Sequence, residues 1–397
     1  MRLKNNSPCF VVLGAVLIQI CIGSIYSWSL FNEPLVKKFG WNKNDVVFTF
    51  SILIFIFALT TIFSGKLQDK IGPKKVSLLG GAFYSLGLIL TYTANSITEL
   101  YIYYGVIAGI GIGFCYVCPL STCIKWFPSQ KGLITGITVG AFGLGSLIFK
   151  SVIQNLLSSK GVSETFLYLG IIFLCLIIIG SLFLKLPEES PATDDVSSNT
   201  QLKTNDYTLS EMVKTKTFPL LWFMYLLGTM SGLLVIGLAK DIGVQQAGLA
   251  PNVATNIVAV IALFNASGRL IWGALSDKLG RIKVILILFI ITSLSMFYMS
   301  FIPLHLISFF ITVSGVVFCF GGFLAIFPTI TSDFYGIKNL GSNYGIIYQA
   351  YGISALVGPI IAANTGNLIT TFLLAGILSV IGIILTLTLN LKFIKNL

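Results

Sequence analysis

Twelve stretches of about twenty apolar residues, each long enough to cross ~30 Å of hydrocarbon, occupy most of this 397-residue chain. They fall near 10–31, 46–63, 76–94, 97–118, 133–157, 164–186, 217–239, 252–275, 284–302, 304–330, 342–364 and 367–391. Inside a bilayer every backbone N–H and C=O must be satisfied within the protein, so spans of this length fold as helices rather than open sheets. Only 10% of residues are charged, against about 25% in a soluble domain, and an all-α membrane protein with twelve transmembrane helices is expected. The first span is too long for the apolar core of a signal peptide and lacks a small-residue cleavage pattern, so it counts as a helix.

With the N-terminus placed in the cytoplasm, eighteen basic residues face that side, among them Lys66, Lys70, Lys74, Lys75, Lys125, Lys131, Lys278, Arg281, Lys283 and Lys338. Five, Lys37, Lys38, Lys43, Lys160 and Lys240, face the other. The positive-inside rule therefore predicts cytoplasmic N- and C-termini, in a cell membrane or, as the alternative, an organelle membrane. The net charge of +11 then follows from topology and anionic lipid, and nucleic acid is not an expected partner. The seven cysteines lie in or beside apolar spans, and the one histidine, His305, is remote from the Cys115/Cys118 pair. No metal and no cofactor is expected, and the thiols read as small buried side chains.

The chain is internally duplicated. Gly65–Lys75 (GKLQDKIGPKK) matches Gly273–Lys283 (GALSDKLGRIK) 208 residues later, and Pro119/Pro328, Gly132/Gly341, Gly136/Gly345 and Gly143/Gly352 continue the match at 209. This divides the chain into a six-helix half over 1–187, a polar linker over 188–216 and a second half over 217–397. Two parallel six-helix repeats are what a rocking transporter needs, with its site between them. The repeated turn carries a mechanical expectation. Asp69 and Asp277, set among Gly65, Gly72, Gly273, Gly280 and Arg281, can accept hydrogen bonds from a neighbouring helix N-terminus and latch one conformation shut. The alternative is a solvated basic loop.

Two cations, Arg269 and Lys150, fall deep inside apolar spans, whereas the acids and the histidine keep to loops, the linker or helix ends. Of the 25 basic residues, only Arg2, Arg269 and Arg281 are arginine. A buried charge costs roughly 2.5–3.5 kcal/mol on insertion scales, so an unpaired arginine near the midplane calls for an anion. Its planar fork matches a carboxylate, whereas the bland reading has it snorkelling or bound to carbonyls. Asn265, one turn earlier, could orient either the guanidinium or the substrate. Lys150 either snorkels or serves as a second substrate cation. Tyr26 and Trp28 fit an interfacial belt or a pocket wall, and Tyr116, in a glycine-lined stretch, fits a pocket.

Four segments then carry a resemblance: Gly23–Phe31 (GSIYSWSLF), Gly109–Ile137 (GIGIGFCYVCPLSTCIKWFPSQKGLITGI), Phe264–Arg281 (FNASGRLIWGALSDKLGR) and Asn343–Ala363 (NYGIIYQAYGISALVGPIIAA). They resemble the oxalate/formate antiporter family, microbial relatives of monocarboxylate porters in the major facilitator superfamily. The resemblance covers essentially the whole chain and implies a twelve-helix carrier of small organic anions, with an arginine at the place of Arg269 and aromatic walls that include Phe320. It also exposes a departure. Where oxalate-transporting members resemble YxxAKG, this chain has Tyr348–Gly352 (YQAYG), with Tyr351 in place of the lysine. A phenol cannot neutralise a second negative charge, so a monocarboxylate (formate, lactate or pyruvate type) is expected ahead of oxalate. Tyr26, Tyr116, Tyr348 and Tyr351 are expected to line the site. Exchange is the expected coupling, with symport of a proton riding on the substrate as the alternative. A carrier of neutral solutes or drugs, a sensor and a membrane enzyme are weaker readings. The latter two lack a signalling domain and a nucleophile or metal set, and a monomer is expected.

Overall fold

A computed structural model of the protein describes residues 8–187 and 206–395. The expected linker 188–216 is thus described only from 206, and the two chain ends expected to face the cytoplasm lie outside the described residues. The long helices are α1 (Pro8–Ser27), α2 (Lys43–Ile71), α3 (Pro73–Tyr92), α4 (Ile97–Trp126), α5 (Lys131–Ser159), α6 (Val162–Phe183), α7 (Thr217–Gln246), α8 (Pro251–Leu279), α9 (Arg281–Phe301), α10 (Leu306–Tyr335), α11 (Leu340–Ile347 with Gln349–Thr365) and α12 (Leu368–Lys395). Among the described residues there is no strand. Two shorter helices, Ser29–Phe39 and Leu209–Lys214, stand outside the twelve.

Proline opens α3 and α8, where its missing N–H is no loss and its fixed φ suits the first turn. The turns α2–α3 and α8–α9 pivot on Gly72 (φ 88°, ψ 158°) and Gly280 (φ 89°, ψ 145°), a backbone region open essentially only to glycine. Two spans depart from regular α-helix. α1 tightens into a 3₁₀ turn over Ser24–Ser27, which carries Tyr26, and α11 is interrupted at Tyr348.

The first six long helices pack among themselves, as do the last six, and α2 meets α11 while α5 meets α8 and α10 between the sets. Glycine permits these crossings. A Cβ on Gly136 would stand 2.6 Å from the Arg269 carbonyl, and one on Gly345 would stand 2.5 Å from that of Thr61. The α5–α8 approach loosens further along, with Gly140 at ordinary contact (3.8 Å) from Ala266. Past Gly143 the same stripe of α5 becomes exposed at Leu147 (51%) and Lys150. The two repeats are therefore tightest at the end where Asp69 and Asp277 lie.

Trp28 departs from the interfacial belt that the sequence allowed. Its ring is buried, stacks on Tyr104 at 4.3 Å, and its indole N–H donates to the Val46 carbonyl. Cys9 and Cys175 are exposed, while the other five thiols are buried as expected.

Candidate functional site

Arg269 lies on the stretch of α8 that faces α5 and α10, and its residue surface is 0% exposed. Three neighbours fix its side chain. Nε donates to Oδ1 of Asn265 at 3.1 Å and Nη1 to the Val139 carbonyl at 2.7 Å, while Cζ lies 5.8 Å from the centre of the Phe142 ring. Gly143 makes the space, since a Cβ there would come within 3.2 Å of Nη1. Nη2 is buried with no hydrogen-bond partner, and no carboxylate pairs with the guanidinium among the described residues. Buried polar groups are nearly always satisfied, so this cation is held in place with one edge left open.

Aromatic rings gather next to it from both repeats. Tyr116 (α4) packs on Tyr348 (α11) at 4.8 Å, and Tyr348 on Tyr351 at 5.0 Å. Phe57 (α2) contacts Tyr116 and Tyr348 at 5.2 and 5.4 Å, and Phe142 (α5) meets Tyr116 and Tyr26 edge-on, each at 5.4 Å. The Tyr26 hydroxyl bonds that of Tyr351 at 3.1 Å, joining α1 to α11. Phe320 (α10) lies 6.5 Å from Tyr351, and the Phe142 ring that lies against Arg269 is the one that meets Tyr116 and Tyr26. The structure thus brings Arg269, Asn265, Tyr26, Tyr116, Tyr348, Tyr351 and Phe320 together. It does not bring Lys150 to them, because that lysine is exposed about 10 Å beyond Gly143 along α5 at ~1.5 Å per residue.

Four members went unnamed from the sequence: Phe57, Phe142, Tyr225 and Tyr344. Tyr225 stacks on Phe327 at 4.3 Å, and its hydroxyl bonds that of Tyr344 at 3.3 Å. Tyr344 lies in Asn343–Ala363, one of the four segments that carry the family resemblance. The other three are aromatics in apolar helices, with no local signal to set them apart. The duplication gives one more clue: 269 − 61 = 208, the offset of the repeated turns, so Thr61 is the first repeat's counterpart of Arg269.

At the tight end, both aspartates accept hydrogen bonds from helix N-termini of the opposite repeat, where the helix dipole favours an anion. Asp277 takes the N–H groups of Gly132 and Leu133 at the start of α5, at 2.9 and 2.8 Å. Asp69 takes the N–H and the hydroxyl of Ser342 at the start of α11, at 3.1 and 2.7 Å. Their surroundings differ. Arg281 pairs with Asp277 at 2.6 Å and with Asp333 at 3.1 Å, and Lys131 closes the group onto Asp333 at 2.7 Å. Asp69 has one distant cation, Lys125, at 3.9 Å. Asp333 was missed because an acid near a helix end reads as solvated.

Two six-helix sets closing on a buried, ring-walled cation are the architecture of a membrane carrier. The chain belongs to the Major Facilitator Superfamily, whose profile matches residues 11–239 and 218–393. It is 39% identical over 345 residues to an uncharacterised MFS-type transporter, YhjX, of Escherichia coli (strain K12), covering 87% of this chain and 85% of that protein. It is 31% identical over 385 residues to the oxalate:formate antiporter of Oxalobacter formigenes, covering 96% and 90%. The major facilitator transporter FucP in its outward conformation matches with a TM-score of 0.68, covering 95% of this chain and 98% of that one at 16% identity, a likeness of fold alone. The protein is thus a multi-pass membrane transporter that belongs with the oxalate/formate antiporter family of this superfamily, and not an enzyme.

Proposed function

We propose that the protein carries one small monocarboxylate, of the size of formate, lactate or pyruvate, by alternating access. The observation that carries this reading is Arg269, a fully buried guanidinium oriented by Asn265 and the Val139 carbonyl, with Nη2 unsatisfied. An uncompensated charge in a low-dielectric interior costs several kcal/mol, and an incoming carboxylate removes that cost while supplying charge-assisted hydrogen bonds. The similarity to an oxalate:formate antiporter supports the substrate class. Tyr351 supports one negative charge rather than two, because its phenol offers a hydrogen bond without a neutralising cation.

In this mechanism residues 1–187 and 217–397 tilt against each other, joined by 188–216. The Asp69 and Asp277 contacts are the latch that closes the cytoplasmic end, and the Tyr26–Tyr351 bond helps to close the other. Tyr116, Tyr348 and Phe320 wall the site, and Lys150 draws anions towards it from its exposed position. Exchange follows from the same charge, since an empty site must carry a bare guanidinium through its closed state, whereas a loaded one does not. The carrier works as a monomer.

The test is uptake of labelled formate, lactate, pyruvate and oxalate into proteoliposomes loaded with unlabelled anion. Saturable uptake of the first three ahead of oxalate is expected. Preference for oxalate would give the site to dicarboxylates, and transport of neutral solutes alone would overturn the reading.

A further inference from the structure

The end of the linker is built into the molecule beside the weaker latch. Thr208 and Glu211 form a capping box on the helix Leu209–Lys214, whose Met212 is fully buried. The residues just before it are pinned to the turn between α10 and α11 by a run of hydrogen bonds. The Tyr207 N–H donates to the Tyr335 carbonyl at 3.0 Å, and the Tyr207 carbonyl accepts from the side-chain amides of Asn339 and Asn343 at 3.1 and 3.0 Å. Asp206 accepts from the Lys338 N–H at 3.1 Å and lies over Gly336 (φ 80°), and Thr215 bonds the Tyr335 hydroxyl at 3.0 Å. Asn343 adjoins Ser342, which supplies both Asp69 donors, and the Lys338 carbonyl accepts from Lys125, the Asp69 counter-ion, at 3.2 Å.

We infer that Asp206–Thr215 is a positioning strap. It fixes the first turn of α11 so that Ser342 faces Asp69, and so sets the strength of that latch. The need differs between the two latches. Asp277 sits in a four-member ion network with Arg281, Asp333 and Lys131, which orients the start of α5 on its own. Asp69 has one counter-ion at 3.9 Å, so its donors have to be held from behind, and the strap is what stands there. Every strap contact named lies with the second repeat, so it travels with α11 as the latch opens and waits in register for it to close. This inference rests on the latch reading above.

The test is backbone hydrogen exchange of the full chain in lipid nanodiscs, followed for the peptides covering Leu340–Ile347 and Gly65–Ile71. The variants are Asn339→Ala with Asn343→Ala, which removes both amides from the Tyr207 carbonyl, and Tyr207→Pro, which removes the N–H given to Tyr335. Asp69→Asn is the control for the latch itself. Each strap variant is expected to speed exchange of both peptides by about fivefold, as local opening does, while the Lys131–Gly136 peptide at the other latch stays as in the wild type. Combining either strap variant with Asp69→Asn should add nothing to Asp69→Asn alone, because both act through one contact. Additive effects, or loosening confined to α11, would reduce the strap to ordinary packing and overturn the inference. No change with Asp69→Asn would overturn the latch reading and the strap with it. A response to Asp69→Asn but to neither strap variant would sink the strap alone.

Discussion

In the proposed mechanism Arg269 concentrates the chemistry of transport in one side chain, and its partners set how it acts. Nε and Nη1 are committed to Asn265 and to the Val139 carbonyl, so the free edge at Nη2 has a fixed direction. Arg269→Lys keeps the charge but loses the fork, and transport at low substrate should fall by about tenfold or more, as loss of a charge-assisted hydrogen bond predicts. Asn265→Ala should raise KM by about fivefold, the effect of one ordinary hydrogen bond, with maximal rate less affected because the charge remains. Tyr351→Lys places a second cation on the same wall, and oxalate uptake should rise relative to formate in a competition assay. Arg269 was legible in the sequence because a cation in an apolar run has no ordinary explanation. Phe57, Phe142 and Tyr225 were not, because an aromatic ring in an apolar helix is common and only its rotation about the helix axis decides whether it meets the cation.

Among the elements, α5 and α8 show how one surface does two jobs. Along Gly132 and Gly136 the absence of side chains lets backbones approach, and at Gly143 the same stripe makes room for the guanidinium. Gly143→Ala should therefore lower transport through a displaced Arg269 while leaving expression and thermal stability close to wild type. Beyond that glycine the stripe is exposed and carries Lys150. As a long-range attractor, Lys150 should act on capture rather than on binding. Lys150→Gln is expected to raise KM at low salt, and the difference should vanish at high ionic strength, where the Debye length shrinks to ~3 Å at 1 M. Retention of the difference at high salt would instead mark direct contact with the substrate. The helices themselves, and the repeat that pairs α2–α11 with α5–α8, follow from span length and glycine spacing. The breaks at Ser24–Ser27 and Tyr348 had no such signal, since neither segment holds a proline and both stay apolar enough to pass for continuous helix.

For the molecule as a whole, the two repeats share a backbone plan and differ in where they keep charge. Thr61 stands where the second repeat has Arg269, and a carboxylate bound there would be held from one side of the interface. The proposed latches are unequal in the same sense: among the described residues, ion pairs join four side chains at the start of α5 and two at the start of α11. Asp277→Asn should accordingly favour opening at that end more than Asp69→Asn does, read as faster labelling of a cysteine placed beside each contact. The cost of an empty, closed site also has a kinetic signature. Exchange of labelled for unlabelled anion should outrun net efflux by about tenfold or more, because the unloaded form must bury an unpaired charge.

The one-sidedness of Arg269 reaches further than affinity. In the proposed mechanism its guest rides with the second repeat as a passenger fixed to one moving wall, and the first repeat acts as a shutter sliding past it. Differences among cargoes of equal charge should then be written mainly in the shutter's aromatic face, in Tyr26, Phe57, Tyr116 and Phe142, which a passenger must clear on every crossing.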